Sequence, residues 1–99
     1  MDSFKREIIN GICYTDLVYG RINKKLNRSL SRDQIEKMIT DVLEETDDSQ
    51  FKKIGKNYYV TNSDRAIRIT INSYTFRVIT ADSLTKINKN LLSTSKILS

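Results

Sequence analysis

The sequence predicts an α+β fold: two to three N-terminal helices packed on one face of a three- to four-stranded antiparallel meander, with a short C-terminal helix or tail. Apolar residues recur at helical spacing up to residue 45, and from residue 51 they alternate with polar ones, as in strands. Short polar links separate the alternating segments, as antiparallel hairpins require. A chain of 99 residues suits a single domain, with its core at about 12–86 and a frayed end at 87–99.

The helices are predicted from apolar stripes and capping residues. The first spans Ser3–Ile12, and the second begins at Thr15 or Asp16 and ends near Leu26. In the second helix, Leu17 is expected to widen the apolar stripe. Its basic residues lie on or near the opposite side: Arg21, Lys24, Lys25 and Arg28. Two explanations fit them equally well, namely stabilisation by the helix dipole and binding of phosphate.

The third helix has the clearest start signal in the chain. Ser31 and Gln34 have the spacing of a capping box, which predicts a helix over Arg32–Glu45. Acidic residues gather at its C-terminal end, where the helix dipole disfavours negative charge. They predict either a solvated surface or a surface for a protein partner with a basic patch: Asp41, Glu44, Glu45, Asp47 and Asp48.

The pattern in the second half of the chain predicts the strands of the sheet. Phe51–Ile54 and Asn57–Thr61 form a hairpin across Gly55-Lys56, where a glycine in first position favours a type II′ turn. Isoleucines at 67, 69 and 71 alternate with Arg68, Thr70 and Asn72. Thr75–Ala81 is expected to follow after Ser73-Tyr74, with Phe76, Val78 and Thr80 facing the helices and Arg77 facing outward. The pattern leaves open which of Tyr58 and Tyr59 faces outward.

The amino-acid composition limits which metal sites and catalytic groups the chain can form. The chain has a net charge of +5, no histidine and one cysteine, Cys13. An internal disulfide and a cysteine-based zinc cluster are therefore excluded, and the commonest metal ligand and general base are missing. We expect no metal and no cofactor. Without a membrane-length apolar run or the apolar core of a signal peptide, the sequence predicts a cytoplasmic protein.

Four short motifs, in this order, resemble a family of small bacterial proteins, domain-of-unknown-function family 3781. They are TDLVYGRINKKL at 15–26, IGKNYYVT at 54–61, ITIN at 69–72 and VITAD at 78–82. The resemblance covers roughly residues 12–86 and implies no assigned activity. It also implies histidines at the positions of Cys13 and Asp82, so this chain departs from the family pattern at two polar positions.

Positive charge is concentrated in two parts of the chain. Residues 1–32 hold seven Lys/Arg against three Asp/Glu, and residues 51–81 hold six against one. Clustered cations attract polyanions. We therefore expect a small basic binding module for RNA, DNA or a ribonucleoprotein, a monomer or homodimer without a membrane partner. The contacts are expected from the outward face of the sheet: Lys56, Tyr59, Arg68, Thr70 and Arg77.

Two narrower functions also fit. The size and the split charge suit a mobile-element inhibitor of a host nuclease, such as a CRISPR effector. The layout also looks like small ribonuclease toxins of the barnase–RelE–colicin kind, which is a likeness of fold alone. A metal-independent ribonuclease without histidine would need Tyr, Lys or a carboxylate for proton transfer, and such a group needs a shifted pKa to act near neutral pH.

Overall fold

A computed structural model describes residues 3–84 of the chain. Helices α1 (Ser3–Gly11), α2 (Asp16–Leu26) and α3 (Arg32–Glu45) come first, and a short 3-10 helix (Asp48–Gln50) follows. The strands are β1 (Phe51–Ile54), β2 (Asn57–Asn62), β3 (Ile67–Asn72) and β4 (Val78–Ser83), in one antiparallel sheet of order β1-β2-β3-β4. The predicted α+β architecture is confirmed. The predicted C-terminal helix or tail, including 87–99, lies outside the described residues.

The helices cover one face of the sheet, and a single apolar core lies between the two layers. Isoleucines 69 and 71 of β3 have no exposed surface, and Ile67 is 8% exposed. Side chains from all three helices and all four strands join them in one cluster: Ile8, Val18, Ile22, Ile35, Ile39, Val42, Leu43, Phe51, Val60, Val78 and Ala81. Leu17 does not widen the stripe of α2 as predicted, because its side chain is 80% exposed.

The predicted helix start at Ser31 is confirmed in detail. The Ser31 hydroxyl accepts from the Gln34 N–H, and the Gln34 side chain accepts from the Ser31 N–H. These two bonds satisfy backbone donors that a helix start otherwise leaves free. The Asn23 side chain both donates to and accepts from the backbone of Leu30, which fixes the loop between α2 and α3.

The prediction for the last strand is wrong at its start and in its faces. β4 begins at Val78, three residues later than predicted, and a longer turn precedes it. A register shift in the β3–β4 pairing leaves Ile79 without a partner in β3, since Ile71 pairs with Val78 and Thr70 with Thr80. Such a bulge changes the alternation of side chains. As a result Thr80 pairs with the outward-facing Thr70, and Ala81 takes the inward place.

The segment between α1 and α2 extends the free edge of β4. The N–H of Cys13 donates to the Phe76 carbonyl at 3.0 Å, and the N–H of Val78 donates to the Cys13 carbonyl at 2.9 Å. This parallel bridge pairs Cys13 with Arg77 and brings the start of α2 beside β4. Within residues 3–84 no helix has the length and apolar character needed to cross a bilayer.

Candidate nucleic-acid interface

The strand pairing defines which side chains share the outward face of the sheet. Tyr58 faces the helices, where its ring lies 6.0 Å from that of Phe4. Tyr59 therefore faces outward, and the Asn57 amide donates to its hydroxyl oxygen at 3.4 Å. Tyr59 pairs with Thr70, and Thr70 pairs with Thr80, so these three polar residues form a row across β2, β3 and β4.

Three of the predicted contact residues are less open than the sequence suggested. Thr70 is only 7% exposed although it lies on the outward face. Arg68 is half-buried, and its Nε atom has no exposed surface. Tyr59 is also half-buried. The freely accessible part of the predicted interface therefore lies elsewhere.

The two remaining predicted residues lie at the margins of the sheet. Lys56 is exposed in the β1–β2 turn, where its carbonyl accepts two bonds from Ser73. Gly55 has φ +64°, and Lys56 has no positive φ, which is the pattern of the predicted type II′ turn. Arg77 is exposed just before β4, at the bridge to Cys13, and so it does not stand beside Arg68.

Basic side chains converge between α2 and β4. A groove of about 640 Å³ is lined by three cationic residues of α2 and two residues of β4: Arg21, Lys24, Lys25, Ile79 and Thr80. We call this the α2–β4 groove. A smaller cavity of about 230 Å³ adjoins it, since Arg21 and Ile79 line both, and Arg77 lines the smaller one. Four basic residues thus follow the same edge of the sheet.

Two buried donors beside the groove are unsatisfied. Thr80 Oγ1 and Arg68 Nε have no exposed surface and no hydrogen-bond partner in the described part of the chain. Thr80 lines the groove, and Arg68 occupies the outward face of the neighbouring strand. Buried polar groups in folded proteins are usually paired, so two unpaired donors at one place are unusual.

Asp82 is the acidic residue beside this groove. Its carboxylate lies 3.5 Å from the Lys25 ammonium, although its partner across the strands is Arg68. Arg68 forms no ion pair within residues 3–84. Cys13 is exposed and pairs with Arg77. Arg77 precedes Asp82 by five residues, so at the rise of a strand Cys13 and Asp82 lie about 15 Å apart. The two positions where the family resemblance implies histidines therefore do not meet.

The acidic residues at the end of α3 all have partners in the same chain. Arg6 forms a two-pronged pair with Glu44, and Arg65 forms one with Glu45. The other pairs are Lys37 with Asp41, Lys5 with Asp48 at 3.8 Å, and Asp47 with Ser49. Lys5 also donates to the carbonyls of Glu44 and Thr46, so a cation offsets the helix dipole. These contacts explain the acidic cluster without an external partner; its role as a partner surface stays a prediction.

Tyrosines with shifted titration lie on the opposite side of α2 from its basic residues. Tyr14 and Tyr19 stack with ring centroids 5.5 Å apart, and the Tyr19 hydroxyl donates to Glu36 at 2.6 Å. Burial raises the pKa of Tyr14, and the bond to Glu36 raises the pKa of Tyr19 to about 12. Both shifts move these phenols away from neutral pH, which disfavours them as general bases.

The sequence contained the signal for the groove but not its location. Arg21, Lys24 and Lys25 were visible as a basic helix face, for which the helix dipole and phosphate binding were equal explanations. What the periodicity could not reveal is that the bulge at Ile79 brings Thr80 into the same groove. Within residues 3–84 no three Cys, Asp or Glu side chains converge on a possible metal site.

Comparison with known proteins identifies a family and no activity. The model of a family described as "Protein of unknown function (DUF3781)" matches residues 6–82. This span includes all of α2, α3 and the first three strands, together with the residues that line the α2–β4 groove. Neither the curated proteins nor the solved structures contain a match.

Proposed function

The chain belongs to the DUF3781 family, and we propose that it is a small non-catalytic module that binds nucleic acid, free or within a ribonucleoprotein, through the α2–β4 groove. The observation that carries this proposal is the convergence of Arg21, Lys24 and Lys25 on one groove of about 640 Å³. Lysines and arginines grouped in this way attract phosphates at long range and release counterions on binding.

The distribution of ion pairs also supports binding at the α2–β4 groove. The acidic end of α3 is balanced by Lys5, Arg6, Lys37 and Arg65. Those cations are therefore engaged within the chain. Other basic side chains have no ion-pair partner among the described residues, and three of them line the groove or the smaller cavity beside it: Arg21, Lys24 and Arg77. The unbalanced part of the +5 net charge thus includes the groove.

Binding without catalysis is the better-supported alternative. A ribonuclease needs a group that transfers protons near neutral pH. The tyrosines whose pKa values shift are Tyr14 and Tyr19, and both shift upward. The ribonuclease and the inhibitor of a host nuclease both stay predictions. In our proposal the protein acts in the cytoplasm, where nucleic acids and ribonucleoproteins are accessible to it.

The proposal is tested by fluorescence anisotropy with a labelled 20-nucleotide RNA and the matching DNA, across a salt series. Affinity should fall steeply with salt, and Lys24→Gln should reduce the slope of log K against log salt by about 0.7 for a single strand. Lys53→Gln removes the same charge from β1, at the opposite edge of the sheet, and serves as the control.

Three results would contradict the proposal: no binding at low salt, equal effects of the two substitutions, or cleavage of the RNA into discrete fragments. Capture of a nuclease that survives removal of nucleic acid, and that Lys24→Gln does not weaken, would favour the inhibitor instead.

A further inference from the structure

We propose that the α2–β4 groove contains a defined site for one phosphate group, formed by the Thr80 hydroxyl with the guanidinium groups of Arg68 and Arg21. This inference rests on the proposed nucleic-acid binding and deepens it, since the phosphate would be one link of the bound strand. It differs from general attraction to a polyanion, because a built site fixes one phosphate at one position.

Two buried donors beside the groove are unsatisfied. Thr80 Oγ1 and Arg68 Nε are both fully buried and both without a partner in the part of the chain that the structure describes. An unmade hydrogen bond in a buried position costs free energy that a ligand can recover. Two such donors at one site indicate a missing acceptor.

The two donors lie on the same face of neighbouring strands. Thr80 and Asp82 lie on the same face of β4, and Arg68 is the cross-strand partner of Asp82. Thr80 and Arg68 are therefore diagonal neighbours, about 7 Å apart and within reach of a long side chain. Arg21 enters the same space from α2, where its Nη1 donates to the Ile79 carbonyl and leaves its other N–H groups for a ligand.

The chemistry of these side chains identifies the ligand as an anion with several oxygens. Each of the three side chains donates hydrogen bonds, and Lys24, which has no ion-pair partner among the described residues, adds positive charge to the groove. Arginine forks match the geometry of phosphate oxygens. Asp82 does not occupy the site, because its carboxylate is paired with Lys25 at 3.5 Å.

The site requires local movement of side chains, because Thr80 Oγ1 and Arg68 Nε both lack exposed surface. The Thr80 side chain lines the groove, but its hydroxyl oxygen is turned away from solvent. A rotation of about 120° about χ1, from one staggered rotamer to the next, can move the hydroxyl of a threonine into the position that its methyl group held. This rotation would bring the hydroxyl toward the groove without any change of the backbone.

The test is a titration of the whole chain with inorganic phosphate at constant ionic strength, followed by NMR. The wild type should bind phosphate saturably, with shifts at Thr80 and Arg68. Thr80→Val should weaken phosphate binding at least about fivefold, the loss of one hydrogen bond, whereas Thr80→Ser keeps the hydroxyl and should stay within about twofold. Urea unfolding should show Thr80→Val no less stable than the wild type, because no hydrogen bond within the protein is lost.

Matched variants separate this site from the proposed function. Thr40→Val makes the same substitution on α3 and should leave phosphate binding unchanged. If RNA binds with a steep salt dependence but Thr80→Val binds phosphate as the wild type does, the phosphate site is overturned and nucleic-acid binding stands. If phosphate binding depends on Thr80 but RNA does not bind, the proposed function is overturned and the site stands. Chemical-shift changes of the protein that do not saturate with added phosphate would also contradict the proposed phosphate site.

Discussion

Arg21 ties α2 to β4: its Nη1 atom donates to the carbonyl oxygen of Ile79 at 3.2 Å. Ile79 is the residue of β4 at which the register shifts, and it has no Cα partner in β3. A bulge of this kind redirects side chains and ends regular pairing. The bond therefore joins the two walls of the α2–β4 groove at the point where the sheet becomes irregular.

This contact predicts different effects for two substitutions of Arg21. Arg21→Gln removes a charge and should lower the salt slope of RNA binding by about 0.7. Arg21→Lys keeps the charge and should preserve the slope, with a smaller loss of affinity, because a lysine lacks the planar fork. Anisotropy at several salt concentrations measures both values. Equal slopes for the two variants would contradict the role of Arg21 in the groove.

Gly11 is required because the ring of Phe76 occupies the space of a side chain. A Cβ atom on Gly11 would lie 2.4 Å from the ring carbon Cδ2 of Phe76. Phe76 has φ +61°, an uncommon value for an aromatic residue, so its position is not easily adjusted. Gly11→Ala should destabilise the fold by about 1–3 kcal/mol, measured by urea unfolding.

A second glycine provides the control for this prediction. Gly20 lies inside α2, and a Cβ atom there would meet nothing within 4 Å. Gly20→Ala should therefore stabilise the protein by about 0.5–1 kcal/mol through helix propensity. If both substitutions change stability in the same direction, the contact between Gly11 and Phe76 does not have the assigned role.

A buried polar pair joins the end of α3 to β2. The Thr46 hydroxyl donates to the Val42 carbonyl at 2.6 Å and accepts from the Asn62 amide at 2.9 Å. Both side chains are nearly inaccessible, with Thr46 at 3% and Asn62 at 6% exposure. Thr46→Val should lower the free energy of unfolding by about 1–3 kcal/mol, because it leaves the Asn62 donor unpaired. A loss no larger than that of the half-buried Thr40→Val would contradict this assignment.

The pairing of Arg6 with Glu44 predicts a pH dependence of stability. The hydrogen bonds from Arg6 hold the pKa of Glu44 below its ordinary value of 4.5. A carboxyl with a lowered pKa stabilises the fold above its ordinary pKa and loses that contribution as pH falls through the lowered value. Glu44→Gln should therefore be less stable than the wild type near pH 7, and the difference should vanish at low pH.

Urea midpoints of both proteins between neutral and strongly acidic pH measure this effect. High salt should reduce the difference, since the pair is exposed to solvent. A difference that stays constant from pH 7 to the lowest pH would show that Glu44 acts by another route than its charge.

The sequence was sufficient for elements that depend on local signals. The capping box at Ser31 predicted α3 from its first to its last residue, and the turn at Gly55-Lys56 predicted the β1–β2 hairpin. The alternation of isoleucines at 67, 69 and 71 predicted the inward face of β3. In each case the determining residues lie within a few positions of one another.

Features that depend on distant residues were beyond the sequence. The start of β4 is delayed because Arg77 bridges to Cys13 and because Asn72 accepts from the backbone of the long turn. The bulge at Ile79 follows this turn, and it reverses the predicted face of Thr80. The basic face of α2 was visible in the sequence, whereas the groove that it forms with β4 was not. The contact residues predicted on the open sheet stay a prediction.

The most direct test of the central claim is a residue-resolved map of where a nucleic acid binds. A ¹H–¹⁵N NMR titration of the whole chain with a short single-stranded RNA provides it. We expect the chemical-shift changes to concentrate at Arg21, Lys24 and Lys25 and at Ile79 and Thr80, and to fade in high salt. Shifts confined to the acidic end of α3, or to β1 at the far edge of the sheet, would contradict it.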